Sequence, residues 1–273
     1  MASRAAQPQP RPNDGEPVQA VKAGAVKESK VPSISRALAA LHVLGQSPAP
    51  LGVQAIARQL GVVTSSCYYL LQALVAEEMV AFDPDTKRYS LGPGVLTLAQ
   101  YWYRQNRFGD LVQPHLDEIS ERFDVTVVAT QIFALDHVTI IAISRSQGAF
   151  RFSAHIGTRF PALTSATGRC IAAFGGHSEA EIRAAFRQIK PDQPVDYATW
   201  REQVEQARER GYAVDAGNHI AGMVSVAAPV WDAQGTVSHA VNAIGRASPL
   251  ERAGLADLED AVLTAARQLS HRS

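Results

Sequence analysis

The sequence predicts an α+β protein in two domains: an N-terminal winged helix-turn-helix, then a linker helix, then a larger domain built on an antiparallel sheet. Three observations predict it. In residues 51–74 apolar side chains fall at Ile56, Ala57 and Leu60 and, after Gly61, at Cys67, Leu70, Leu71 and Leu74, the spacing of two short amphipathic helices around a tight turn. Residues 79–91 read as two short strands around a polar turn, which makes a winged helix out of a bare helical hairpin. Past residue 108, β-rich runs joined by hairpin turns are interspersed with helical segments, the pattern of an antiparallel sheet with helices packed around it.

Taken in order, residues 1–30 are rich in Pro, Gln, Ala and Gly and carry almost no large apolar side chain. Such a segment cannot bury enough surface to offset its ordering entropy and is expected to be a disordered arm. Its Lys22, Lys27 and Lys30 could touch DNA phosphates; a solvated tail is the competing reading. A domain over residues 31–91 follows. Its first helix, with Ser33 as N-cap and Gly45 as stop, should present Ile34, Ala37, Leu38, Leu41 and Leu44 to the helix-turn-helix. Gly61 can take the left-handed conformation that ends the next helix, and Thr64, Ser65 or Ser66 can cap the one after it. Helical phase then turns Ser65, Ser66, Tyr68, Tyr69 and Gln72 outward.

The wing strands are residues 80–82 and 88–91 around the turn 83–86, with Lys87 and Arg88 beside it. Residues 92–107 hold the linker helix, opened by Gly92 and Gly94 and carrying Val95, Leu98, Ala99 and Trp102 at helical spacing. With Tyr101 and Tyr103 it has more apolar surface than a free linker needs, which fits either a dimer contact or packing on its own domains. The second domain, residues 108–273, should contain a helix over 111–123, strands over 125–133 and 138–143 around a turn at 135–137, and a strand over 150–154. A Ser/Thr-led helix within 164–174 and helices over 179–189 and 197–211 come next. Strands over 223–231 and 236–244 around the turn 232–235, and a closing helix over 249–269, complete it.

A chain of 273 residues, 46% of them hydrophobic, suits two domains of ~100–200 residues each. No apolar run reaches the roughly 18 residues of a membrane helix and no secretory core opens the chain, so a cytoplasmic protein is expected. Cys67 and Cys170 fall in different domains and read as reduced thiols. The 26 basic and 26 acidic residues cancel, and within 31–91 Arg36, Arg58, Lys87 and Arg88 are balanced by Glu77, Glu78, Asp83 and Asp85. DNA affinity would therefore rest on where the charges sit and on dimerisation rather than on a cationic excess. No nucleophile elbow, P-loop or dinucleotide fingerprint occurs, and the eight histidines are too widely spaced for a short metal motif. No catalytic residue, metal or cofactor is expected.

Ser35, Arg36, Ala37 and Leu38 ahead of the helix-turn-helix, the run RYSLGPGVLTLA after the wing, and the downstream segments TSATGRC, GYAVD and VAAPVWDAQG make the chain resemble the IclR family of bacterial transcription regulators over residues 31–271. The resemblance implies a GAF-like antiparallel-sheet effector-binding domain. It also implies a double-stranded DNA operator, a small organic acid as effector, with an aromatic acid favoured, and a homodimer or a tetramer formed by two dimers. Thr64, Ser65, Ser66, Tyr68, Tyr69 and Gln72, with Lys87 and Arg88 of the wing, would face DNA. Carried over position by position, the effector pocket would be lined by Ala166, Thr167, Asp215, Met223, Ser225, Asn242 and Ile244. Ser225 and Asn242 share an inward parity with Met223 and Ile244, as strand alternation requires.

Within that pocket the helix beginning near Ser165 would favour an anionic group, Thr167, Ser225 and Asn242 would offer donors, and Asp215 would accept from a ligand hydroxyl. The chain departs from the family pattern at four places: Tyr69 replaces the usual Arg of the recognition helix, Thr64 a basic residue before it, Arg169 a Lys, and Asn218 a common Glu. Arg reads guanine bidentately and Tyr cannot, so these changes bear on DNA sequence preference. Two other readings stay open, a small-molecule-processing enzyme that carries a winged helix and a DNA-binding protein that needs no effector.

Overall fold

The computed structural model describes residues 30–135, 137–145, 152–189 and 193–270. The chain forms two compact units that divide between Arg107 and Phe108. The first contains α1 (Pro32–Gln46), β1 (Leu51–Gly52), α2 (Val53–Leu60), α3 (Thr64–Ala76), β2 (Val80–Asp83), β3 (Arg88–Leu91) and α4 (Gly94–Gln105). Its core joins Ala40, Val43 and Leu44 of α1 to Ile56 and Leu60 of α2 and to Cys67 and Leu71 of α3, closed by Val80 and Tyr89 from the wing. α2 ends at Gly61 in the left-handed conformation, φ 66°, and α3 leaves at an angle of 107° to it.

Several local readings are corrected. α1 begins at Pro32, whose fixed φ and missing N–H suit a first turn, so Val31 is the N-cap and both Ser33 and Gly45 lie inside the helix. Its buried face is Ala39, Ala40, Val43 and Leu44, whereas Ile34 and Leu38 are 59% and 56% exposed. The helix is apolar on nearly every side, so more than one phase fits the period, and the phase adopted brings the small alanines against the neighbouring helices. α3 is preceded by Val63 and has no side-chain cap; Thr64, Ser65 and Ser66 make up its first turn. The wing gains a third strand, giving the order β1-β3-β2, because Leu51 and Gly52 pair with Tyr89 and Arg88. Two residues are too few for any alternation to be legible.

The second unit contains α5 (Phe108–Phe123), β4 (Thr126–Ile132), β5 (His137–Ile143), β6 (Arg159–Pro161), α6 (Ala166–Phe174), α7 (Glu179–Phe186), α8 (Tyr197–Arg210), β7 (Ala213–Ala216), β8 (Met223–Trp231), β9 (Val237–Arg246), α9 (Ala247–Ala253) and α10 (Leu255–Leu269). Six strands form one antiparallel sheet in the order β6-β5-β4-β9-β8-β7. Ser225 pairs with Ile244, and Ala227 and Val128 with Asn242, so these five share one face. That face meets Ile171 and Ala172 of α6 and Trp200 and Val204 of α8. α5 packs on β4 and α10 on β8, and Phe108 of α5 stacks on His239, which has the opposite parity on β9. With both faces covered, β8 and β9 are buried along almost their whole length.

The arm over 1–30, apart from Lys30, and the first two residues of the strand expected over 150–154 lie outside the described residues. Residues 152–154 are irregular; the short β6 is the strand that pairs with β5 here. The closing helix is interrupted at Gly254, whose φ of 91° and ψ of 112° no helix can pass through, and this separates α9 from α10. At Gly168 the backbone of α6 lies so close to residues 162 and 163 that a Cβ would stand 2.4 Å from Leu163 Cα. That close approach seats the start of α6 beside the sheet.

Candidate DNA-contacting surface and effector cavity

In the first unit, the N-terminal half of α3 is open. Thr64, Ser65, Ser66, Tyr68 and Tyr69 are all exposed, and the two tyrosine rings meet edge to face with centroids 5.7 Å apart. Core contacts point the other way through Cys67 and Leu71, so the outward phase of both tyrosines is set by packing. Gln72 is half-buried, and the Tyr89 phenol, whose pKa burial pushes up, has the Gln72 side chain pulling it back. Lys87 stands on the wing at a left-handed φ of 57°, and Arg88 Nη1 donates to the Pro50 carbonyl at 2.9 Å. The Asp83 carboxylate fastens the turn by accepting from the Thr86 hydroxyl and from the N–H groups of Asp85 and Thr86, which together lower its pKa.

In the second unit a small cavity of about 20 Å³ lies beside the start of α6. Five residues expected at the pocket, Asp215, Met223, Ser225, Asn242 and Ile244, line it together. Ser165, at the helix start expected beside the pocket, lines it as well, and so do His219 and Ile220, which were not anticipated. Ser165 is the N-cap position of α6, and the loop segment GNHIAG, bracketed by glycines between two strands, was the available signal for the other two. Ala166 does not line the cavity but packs with Cys170, Ala207, Ala213 and Ala227. Thr167 is buried and also absent from the lining.

Electrostatics at the cavity centre on a buried ion pair. Arg169 and Asp215 are 1% and 3% exposed, with Nη2 2.9 Å from Oδ1. Arg169 also donates from Nε and Nη2 to Gln203 Oε1, at 2.8 and 2.6 Å, and from Nη2 to Asn218 Oδ1 at 3.1 Å. Nη2 has two protons for three acceptors, so the Asp215 contact is held by charge more than by hydrogen-bond direction. Burial lowers the Arg169 pKa from its ordinary value, and the Asp215 carboxylate opposes that shift. Asp215 Oδ2 accepts the His219 N–H at 3.0 Å. Oδ2 is thus occupied, whereas Oδ1 has the Arg169 charge beside it but no hydrogen bond among the described residues.

Ser225 and Asn242 are the contrasting case. They are 7% and 4% exposed, and neither Ser225 Oγ nor Asn242 Oδ1 has a hydrogen-bond partner among the described residues. Leaving a buried polar atom unpaired costs about 1–3 kcal/mol, so both atoms are available to a water or a ligand group in the cavity.

The helix-turn-helix and the cavity fall within two matching family models: the IclR helix-turn-helix domain over residues 33–84 and the bacterial transcriptional regulator IclR C-terminal domain over residues 107–271. The HTH-type transcriptional repressor AllR of Escherichia coli is 25% identical over 263 residues, covering 95% of this chain and 94% of its own. The crystal structure of an IclR transcriptional regulator from Alicyclobacillus acidocaldarius superposes with a TM-score of 0.73 at 26% identity, over 88% of this chain and 96% of that one. An IclR homologue from Microbacterium hydrocarbonoxydans, solved in complex with 4-hydroxybenzoate, shares the fold with a TM-score of 0.72 at 17% identity, over 87% and 97% of the two chains. The chain belongs to the IclR family of bacterial transcriptional regulators, DNA-binding proteins built on this helix-turn-helix.

Proposed function

We propose that this regulator binds its operator as a dimer and responds to a small organic acid, an aromatic hydroxy acid in particular, held in the cavity beside α6. The observation that carries the reading is the pair of unpaired buried atoms, Ser225 Oγ and Asn242 Oδ1, on the cavity wall. A carboxylate suits the N-terminal end of α6, where N–H groups and the helix dipole favour negative charge. The Ser225 hydroxyl can donate to that carboxylate, and Asn242 Oδ1 can accept from a hydroxyl at the other end of the ligand. Met223, Ile220 and Ile244 offer apolar contact to a ring between them. The cavity as it stands encloses only about 20 Å³, room for about one water, so a ring-sized guest must displace the loop that carries His219 and Ile220. Because Arg169 already neutralises Asp215, that carboxylate is no obstacle to an anion.

On the DNA side, the exposed start of α3 with Tyr68 and Tyr69 supports entry into the major groove, and two copies would read two half-sites. Exposed Leu96, Leu98, Tyr101 and Tyr103 on α4 support a dimer contact there. The experiment is a calorimetric titration with 4-hydroxybenzoate and a panel of small hydroxy and oxo acids, followed by the best binder against Ser225→Ala and Asn242→Ala. Each substitution should weaken binding about tenfold, in line with the loss of one hydrogen bond to a polar or charged group. Unchanged affinity in both variants would place the ligand elsewhere.

A further inference from the structure

Loop 217–222 joins β7 to β8 and carries His219 and Ile220 onto the cavity. Its ends, Gly217 and Gly222, have φ of 86° and 76°, values that L side chains rarely adopt, so both corners are built for glycine. Between them the loop is tied to the body of the domain by polar contacts. The His219 N–H donates to Asp215 Oδ2 at 3.0 Å, and Asn218 Oδ1 accepts from Arg169 Nη2 at 3.1 Å. The Asn218 carbonyl accepts from the Gln193 N–H at 3.1 Å, and the Gly222 carbonyl from the Ala247 N–H at 3.0 Å.

Two of these contacts lead to the same pair. Arg169 belongs to α6 and is braced by Gln203 of α8, and Asp215 belongs to β7, so the pair is a fixed post against which the loop is moored. As packing material Arg169 is a costly choice. It is 1% exposed and its Nη1 has no hydrogen-bond partner among the described residues, whereas an apolar side chain of similar volume would fill the space without desolvating a charge. A buried cation retained at this cost, beside the one loop that carries residues onto the cavity from between β7 and β8, has a task there.

We propose that Arg169 is a positioning residue of the cavity: through Asp215 and Asn218 it holds loop 217–222 closed over the guest, and so governs binding without touching the ligand. Loop closure excludes water from the Ser225 and Asn242 side, and loop opening requires that the Arg169 to Asn218 and Asp215 to His219 bonds part. The ion pair itself stays intact throughout. That the loop is the lid of an effector site rests on the function proposed above; that Arg169 moors the loop does not.

Hydrogen exchange followed by mass spectrometry on the full-length, ligand-free protein tests the mooring. In Asn218→Ala the amides of 217–222 should exchange roughly tenfold faster or more, while those of β8 and β9 keep their wild-type rates. Arg169→Lys, which keeps the charge but lacks the planar fork, should loosen the loop in the same way. If that variant fails to fold, Asn218→Ala decides alone. Loop rates unchanged in Asn218→Ala would overturn the proposal, as would an equal acceleration in β8 and β9, which would mean that the network merely supports the core. No ligand enters the measurement, so its failure is distinct from failure of the cavity reading, which the Ser225→Ala and Asn242→Ala titrations expose.

Discussion

Replacing Arg169 by Met should destabilise the protein strongly, and replacing Asp215 by Leu in the same chain should restore most of the loss. The partners are 1% and 3% exposed and 2.9 Å apart, so neither charge is screened by solvent. Removing one partner of a buried pair costs about 3–5 kcal/mol, because the survivor is left desolvated and uncompensated. In Arg169→Met the His219 N–H still serves one Asp215 oxygen, which puts the expected loss near the lower end, about 3 kcal/mol. For a unit of this size each kcal/mol lowers Tm by roughly 2–4 °C, so a drop of about 6–12 °C is expected. The double variant removes both charges, and half-buried Gln203 and Asn218 can turn to water, so it should recover about 2 of the roughly 3 kcal/mol lost in Arg169→Met. Urea and thermal unfolding of the four proteins at pH 7 close the cycle. Strictly additive losses would show that the two residues do not act as a pair, and the electrostatic account of the cavity would fail with them.

Gly168→Ala places a Cβ 2.4 Å from Leu163 Cα, a backbone atom that cannot swing aside, and should cost roughly 2–3 kcal/mol by displacing α6; an unchanged urea midpoint would contradict the close approach. Burial pushes the His239 imidazole down to about 4, against about 6.5 in an unfolded chain, so the fold favours the neutral ring. Its contribution is complete above pH 6.5 and is lost as the pH falls towards 4, on the order of 3 kcal/mol, and His239→Leu should flatten the unfolding free energy over that window. Tyr68→Ala with Tyr69→Ala should leave stability within about 0.5 kcal/mol, since the rings are 46% and 73% exposed, yet abolish gel-shift binding to DNA selected by the wild-type protein from a random pool. Undiminished affinity, or an unfolded double variant, would refute the outward reading of α3.

Where local physics determines structure, the sequence was legible. Gly61 between two apolar periods marked the turn from α2 to α3, and alternation along β8 and β9 put Ser225 with Met223 and Asn242 with Ile244 on one wall. Elements without a local signature were not: β1 has two residues and β6 three, and the phase of the apolar α1 is chosen by its partners rather than by its own pattern. Long-range pairings were hidden for the same reason. Nothing near Arg169 announces Asp215, nothing near Gln72 announces Tyr89, and so these contacts of Asp215 and Gln72 emerge only when α6 meets β7 and α3 meets the wing.

Strand β9 gives the second unit a short line of communication. Asn242 and Ile244 stand on its cavity side, while alternate residues, Val241, Ala243 and His239, stand on the side of α5, where Phe108 stacks on His239 with ring centroids 4.1 Å apart. Phe108 is the first residue of this unit, directly after the segment that joins it to the other. A close-packed wall does not deform on one side alone. Any displacement of β9 at Asn242 is therefore also a displacement of the seat of Phe108, one strand's thickness away.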